Sequence, residues 1–554
     1  MLEGFVPFPP EYAVTYRERG YWQDRSLAQE FAVVFEKFAS RTALIDGERS
    51  YTYADINTLS DNLALNLLAL GLKPQDRVVP TLPNVAEFVI LYFALQKMGC
   101  IPIAALVTHR FAEISQFVAL SKATCCVYPA SVREQGADFL FGPIVDRVQA
   151  QHPCLTLRLV LGVAGPGEHS LTQLIDTLAT LPTSALSSIV IDPMDPCIFQ
   201  LSGGTTGIPK LIPRTNNDYA YNSKIAAQVA GVDAESVLLL VLPIAHNLPL
   251  ACPGIQGFMF NGATVVLHAN TRPAEMFALI QKHRVTHLKV VPALLIRLIN
   301  DPGIANFNLD SVQQIQSGGQ RMQPETRLRT RELFRNCFVQ ENFGMSEGLL
   351  MFVRKGDAEA VLMETCGRPV CADDEVMLID DDGCPVPDGE VGELACRGPY
   401  TLRGYYGVPE YNARQFTPDG FYRSGDLMRR HPSGNYVVEG RKKDLINRGG
   451  EKVSAEEVEN LILMHPSVQN VACVPMPDAN MGEKMCAFVV LKTGRSLTLT
   501  ELVAFLQTQE IARFKLPERL ELLDDFPVST FGKVSKKALC ELVTANLSAE
   551  QITA

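Results

Sequence analysis

Between residues 60 and 299 the chain alternates helix-period and strand-period segments, and this alternation limits the fold more than any single motif. Residues 60–70 carry leucines three and four apart, which predicts a helix that stops at Gly71. Arg77–Pro80 reads as a short strand, Ala86–Met98 as a helix, and 101–105 as apolar strand again. Residues 170–178 read as a surface helix, 238–242 as a buried strand and 263–267 as a strand after a turn at Gly262. A helix over Pro273–His283, a strand over 285–291 and a helix over 293–299 complete a run of βα units. Such a run predicts a largely parallel sheet.

After about residue 370 the pattern changes. Turn signals crowd together at Asp381-Asp382-Gly383, Pro387-Asp388-Gly389, Pro418-Asp419-Gly420 and Pro432-Ser433-Gly434. The alternating runs between them, such as Glu375–Ile379 and 435–439, predict an antiparallel, barrel-like subdomain. Gly440-Arg441-Lys442-Lys443-Asp444 is a charged break. Beyond it, helices over 454–465 and 500–507 and strands over 468–474 and 484–491 make an α+β module of domain size, which ends in a basic stretch at 533–537. At 554 residues one core is not enough. The expected division is 1–442, mixed α/β, and 443–554, a small mobile α+β domain.

Ser202-Gly203-Gly204-Thr205-Thr206-Gly207-Ile208-Pro209-Lys210 is a flexible, donor-rich loop that ends in a cation. Glycines let backbone N–H groups converge on an anion, and hydroxyls add donors. It is not a Walker A loop, because Pro209 precedes the lysine and Leu211 follows it. Nucleotide binding without γ-phosphoryl transfer fits that departure; a glycine-rich surface turn is the bland alternative.

The net charge of −11 argues against nucleic acid as the main partner. The 14 cysteines have no framework or zinc spacing, which fits buried thiols in a reducing compartment. With no signal-peptide pattern and no bilayer-length apolar run, a soluble cytoplasmic protein is expected, without a membrane partner.

Further segments are weak singly. Phe343-Gly344-Met345-Ser346-Glu347-Gly348 offers an aromatic for a base and a carboxylate for Mg²⁺. Tyr422-Arg423-Ser424-Gly425-Asp426 presents an acid in a turn, Arg441 a forked donor, and Lys533 lies in a tight Thr530-Phe531-Gly532-Lys533 turn. In this order and beside the glycine loop they resemble the adenylate-forming superfamily over nearly the whole chain. Five runs bring the resemblance closest to stand-alone aryl acid adenylating enzymes of siderophore biosynthesis. They are Gly20-Tyr21-Trp22-Gln23-Asp24, Leu211-Ile212-Pro213-Arg214-Thr215, Ala245-His246-Asn247, Ala251-Cys252-Pro253-Gly254 and Ile446-Asn447-Arg448-Gly449-Gly450-Glu451-Lys452. Gly344-Met345-Ser346-Glu347-Gly348 also matches the G-x-S-x-G hydrolase elbow, but the downstream histidines, His431 and His465, sit in a turn and at a helix end.

The resemblance implies a two-step reaction. A carboxylate attacks the α-phosphorus of ATP, giving acyl-AMP and pyrophosphate, and the acyl group then passes to the phosphopantetheine thiol of a holo aryl carrier protein of a non-ribosomal peptide synthetase pathway. ATP and Mg²⁺ are the implied cofactors. Ser202, Gly203, Gly204, Thr205, Thr206, Gly207 and Lys210 are expected at the phosphates, with Glu347 and Thr205 near the metal. Gly318, Gly319 and Phe343 are expected around adenine, and Asp426 with Arg441 at the ribose. Lys533 is the implied catalytic cation, His246 a candidate for steadying the carboxylate or else a packed loop histidine, and Lys443 the pivot of the small domain.

The resemblance also places Asn247, Cys252, Gln320, Asn342 and Leu350 at the aryl acid, with Gln320 and Asn342 departing from the family's usual residues. By the resemblance, members using salicylate often carry Cys where Cys252 stands and those using 2,3-dihydroxybenzoate often carry Ser, and a thiol is a weak partner for a ring 3-hydroxyl, so Cys252 alone leans towards salicylate. If the Asn342 amide faces the ring it supplies that partner, the alternative being a side chain turned to backbone or water; with 2,3-dihydroxybenzoate the commoner substrate of the family this chain resembles, that acid ranks narrowly ahead of salicylate. Salicylate, an aryl-CoA ligase and a non-catalytic nucleotide-binding module remain the alternatives.

Overall fold

The structure is a computed structural model of the 554-residue chain. It describes residues 2–134, 137–202, 209–319, 322, 324–448, 451–478, 481–509, 511–528 and 533–553. The expected alternation is present. Strand Arg77–Pro80 and helices Ala86–Met98 and Pro273–His283 have the predicted bounds. The first leucine-rich helix begins earlier, at Tyr53, because Thr52 and Asp55 form a reciprocal capping box there. Helix Ala86–Met98 is buried almost all round, so it shows no amphipathic stripe; Gly99 ends it at φ +66°.

Among the described residues a nine-stranded sheet organises the larger part. Its spatial order is Arg368–Pro369, Gly348–Phe352, Phe338–Met345, Gln314–Gly318, His287–Val290, Val237–Leu240, Thr264–Leu267, Thr42–Asp46 and Arg49–Thr52. The six strands from Phe338–Met345 to Thr42–Asp46 run parallel; the others pair antiparallel at the two edges. A second, parallel sheet contains Arg77–Pro80, Cys125–Pro129 and Leu157–Leu161. The largest core cluster lies between these sheets and draws on helices Leu27–Lys37, Tyr53–Ala69 and Ala86–Met98. The barrel-like region takes the form of a four-stranded antiparallel sheet, Glu375–Ile379, Val391–Arg397, Tyr422–Arg430 and Tyr436–Arg441.

The C-terminal part has its own sheet. Long strands Val468–Asp478 and Gly482–Leu491 pair antiparallel, and Arg519–Leu522 adds in parallel. Among the described residues its two core clusters draw on buried residues from Ile446 onward. The basic stretch at 533–537 is in part a helix start: Lys536 opens helix Lys536–Thr553.

Candidate active site

Strands Gln314–Gly318 and Phe338–Met345 lie side by side with Gly318 opposite Asn342, and their C-terminal ends open onto the candidate site. Parallel strands of an α/β sheet end on one edge, which is where ligands bind in such folds. Gly318 is needed for a stated reason: a Cβ there would fall 1.8 Å from Asn342 Oδ1. Gly319 has φ +92°, and its missing Cβ leaves room for the Lys533 side chain, whose Cε would be 2.9 Å away. Lys533, far off in sequence, thus lies against the end of this strand.

His246 caps the short helix Asn247–Ala251 and is pushed down to about 3, by burial first and then by the charges of Lys533 and His109. It therefore stands neutral beside the Lys533 cation at physiological pH. Asn247 is buried and oriented by its neighbours. Its Oδ1 accepts from Tyr219 Oη at 3.0 Å, and its Nδ2 points at Cys252 Sγ, 3.3 Å away. Asn222 Nδ2 also donates to that sulfur at 3.3 Å, and burial raises the Cys252 thiol. Leu350 is buried opposite Gly344, where a Cβ would meet its Cδ2. Asn342 is 6% exposed, and its Nδ2 has no hydrogen-bond partner among the described residues. A buried donor without an acceptor is costly unless a ligand completes it.

Glu347 lies in the turn between strands Phe338–Met345 and Gly348–Phe352. Burial raises its carboxyl, opposed by the Tyr405 hydroxyl, which donates to Oε1 at 2.8 Å and is itself 2.9 Å from the Tyr422 hydroxyl. Lys210 sits over the Tyr411 ring at 4.1 Å; desolvation lowers it while Glu347 opposes that shift. Ser202 and Lys210 are joined by two bonds, Ser202 N–H to the Lys210 carbonyl at 3.0 Å and Lys210 N–H to Ser202 Oγ at 2.9 Å. Gly203, Gly204, Thr205, Thr206 and Gly207 lie outside the described residues, as does Gln320. Phe343 is partly buried against the cluster that contains Tyr405 and Tyr422.

Asp426 is not in a turn. It lies inside strand Tyr422–Arg430 opposite Arg441, because the alternating pattern extends through both residues and closes them as a cross-strand pair. Arg441 Nε donates to Asp426 Oδ1 at 2.8 Å, and that carboxylate raises the guanidinium. Lys443 falls in the single 3₁₀ turn Lys442–Asp444 that links the two sheets. Ser346 stands in a turn between antiparallel strands, not on a strand-to-helix elbow, which removes the hydrolase alternative.

Sequence reasoning missed the residues that hold these groups. Arg214 is fully buried; it pairs with Asp218 at 2.8 Å and donates to the Ser346 and Tyr400 carbonyls at 3.1 Å each, which anchors the Glu347 turn. It stands in one of the runs that carry the resemblance, and an arginine four residues before an aspartate at a helix start was a usable signal. Tyr219 and Tyr405 gave none, since their partners Asn247 and Glu347 lie 28 and 58 residues away, and Tyr422 entered only as the start of the Asp426 run.

The arrangement collects amide donors, the Glu347 and Asp426 carboxylates and the Lys210, Arg441 and Lys533 cations around the end of a parallel sheet. Those groups suit a nucleotide-using enzyme that activates an acid. Comparison with known proteins agrees: the AMP-binding enzyme family model matches residues 31–406, and the AMP-binding enzyme C-terminal domain model matches 457–533. The chain is 43% identical over 98% of its length to a salicylyl-CoA synthase / salicylate adenylyltransferase of Streptomyces sp, covering 98% of that protein. It is 40% identical to a 2,3-dihydroxybenzoate-AMP ligase of Bacillus subtilis, covering 99% of both chains. Among solved structures, the apo structure of MbtA from Mycobacterium smegmatis superposes with a TM-score of 0.74 at 39% identity, covering 97% of this chain and 98% of that one. The chain belongs to the AMP-binding enzyme family and is an adenylating ligase.

Proposed function

We propose that the protein activates 2,3-dihydroxybenzoate with ATP, forming aryl-AMP and pyrophosphate, and passes the aryl group to the phosphopantetheine thiol of an aryl carrier protein. The observation that carries the substrate is the buried Asn342 Nδ2, which has no acceptor among the described residues and stands on the strand next to Gly318. A ring 3-hydroxyl supplies that acceptor. Asn247, held by Tyr219 and Cys252, serves the carboxylate and ortho-hydroxyl. Salicylate is the second reading, favoured by Cys252, whose sulfur already accepts from Asn222 and Asn247 and brings no hydroxyl to the ring.

Two anions meet in the first step, so charge must be cancelled as it builds. Lys533, against Gly319 and near His246, is suited to bridge the acid and the α-phosphate. Asp426 with Arg441 suits the ribose, and Phe343 with Gly318 and Gly319 the base. The described residues contain no cluster of three or more ligating side chains, but Mg²⁺ carried by phosphates needs only one or two carboxylates. Glu347, anchored on one oxygen by Tyr405 and next to Lys210, fits that requirement. Bound there, the ion supplies Lewis-acid neutralisation of the phosphates. We further propose 1–442 and 443–554 as the working domains with Lys443 as pivot; the C-terminal clusters, built from Ile446 onward, support this.

The test is kcat/KM for pyrophosphate exchange with 2,3-dihydroxybenzoate and salicylate, in wild type and Asn342→Val. The dihydroxy acid should be preferred, and Asn342→Val should cut that preference by roughly tenfold, the value of one buried hydrogen bond of ~1–2 kcal/mol. A wild-type preference for salicylate overturns the substrate, and an unchanged ratio in the variant overturns the reader. Thioester formation with coenzyme A against a holo carrier protein decides the acceptor.

A further inference from the structure

Behind the candidate acid pocket, one pleat below Gly318 and Asn342, lies a row of buried polar side chains. Lys289, Gln316 and Gln340 stand opposite one another on three adjacent parallel strands, on the same sheet face as Gly318 and Asn342. All three are 3% exposed or less. Lys289 Nζ donates to the Cys252 carbonyl and, at 2.8 Å, to Gln316 Oε1. Gln316 Nε2 donates to Gln340 Oε1 at 2.6 Å, and Gln340 Nε2 to the Val353 carbonyl at 3.0 Å. The bonds run in one direction from the lysine, which fixes the amide orientation of Gln316; Gln340 Oε1 also accepts from Gln314 Nε2 at 3.0 Å, so its orientation is shared.

We infer that Lys289 is a positioning residue of the acid pocket, acting through the Cys252 carbonyl without touching the ring. Cys252 is the turning point: its carbonyl is held from below by Lys289, and its sulfur receives Asn247 Nδ2 from above. A shift of this residue moves the Asn247 amide. Among the described residues the Asn247 side chain is otherwise held by Tyr219 Oη on its oxygen and, at 3.5 Å, by the Met345 carbonyl on its nitrogen. Burial lowers the lysine to about 7, and a neutral amine keeps two N–H groups for its two acceptors, so the bonds do not depend on the charge. A lysine placed only for stability has no need of this position, since an apolar side chain fills a strand interior at less desolvation cost.

The inference rests on the aryl acid reading, and the experiment separates the two. Wild type is assayed first with the aryl acid panel; if it activates none, the functional reading fails before Lys289 is tested. With the accepted acid, Lys289→Met should raise the KM for the acid at least tenfold while the KM for ATP stays within twofold. Gln316→Leu, which removes the neighbouring acceptor but leaves Cys252 held, should change the acid KM less than threefold. In a Cys252→Ala background, where the sulfur that reads the position is gone, Lys289→Met should add less than threefold, since two steps on one path are not additive. Melting curves and ATP binding report folding; if Lys289→Met does not fold, Lys289→Gln, which keeps a donor, takes its place and should show the same split at smaller size. An acid KM unchanged in the folded variant, equal losses for acid and ATP, or a full tenfold effect persisting in Cys252→Ala each overturn the inference.

Discussion

His246 shows how a single side chain ties the site to stability. Its imidazole is driven well below the usual 6.5, to about 3, chiefly by burial. The unfolded chain takes up a proton near 6.5 and the folded site does not, so the unfolded state binds more protons between those values. Stability from this group is therefore complete above pH 6.5 and is lost as pH falls towards 3. His109 and His287, each lowered to about 4, act in the same direction, so wild type alone cannot be assigned to one residue. His246→Gln should lose less melting temperature than wild type between pH 6.5 and 4. Parallel curves would mean that His246 protonates freely in the fold.

At the level of elements, the turn and edge strands around Glu347 depend on one close approach. Gly367 has φ +99°, and a Cβ there would stand 1.9 Å from the Phe352 carbonyl carbon. Its carbonyl accepts from Tyr436 N–H at 2.8 Å, which joins the edge of the nine-stranded sheet to the edge of the four-stranded one. No side chain fits without moving the backbone. Gly367→Ala should destabilise the protein by about 2–4 kcal/mol, measured as a lower denaturation midpoint. It should also weaken ATP binding, because strand Gly348–Phe352 follows the Glu347 turn directly. A variant as stable as wild type would show that the two sheets tolerate separation. The same turn is held from the other side by Arg214, whose pair with Asp218 is fully buried and whose removal would strand a charge.

Across the whole molecule, the proposed division of labour depends on Lys533 reaching Gly319 from the C-terminal part. Lys533→Ala should lower aryl-AMP formation by about 10²–10³, the scale expected when one preorganised charge is removed. Thioester formation from preformed aryl-AMP should fall far less. Single-turnover assays of each half-reaction measure this directly; pyrophosphate exchange within threefold of wild type would remove Lys533 from the chemistry. Gly319→Ala offers an independent approach to the same contact, since its Cβ would meet the lysine stem.

The alternation of periodicities, the glycine loop and the dense turns after residue 370 determined the order of elements without any tertiary information, because helix and strand periods and turn residues are local properties. Arg77–Pro80, Ala86–Met98 and Pro273–His283 could be bounded from their own residues. Asp426 was misplaced in a turn because Ser424-Gly425 imitates one locally, whereas its pairing with Arg441 is a cross-strand contact. The supports of the site were decided only in three dimensions. Lys289 meets the carbonyl of Cys252, and Arg214 that of Ser346, across 37 and 132 residues. Backbone carbonyls carry no side-chain identity for a sequence pattern to register. The Asn342 donor is of the same kind: an asparagine in a strand is legible, but that its Nδ2 meets no acceptor among the described residues follows only once the sheet has closed over it.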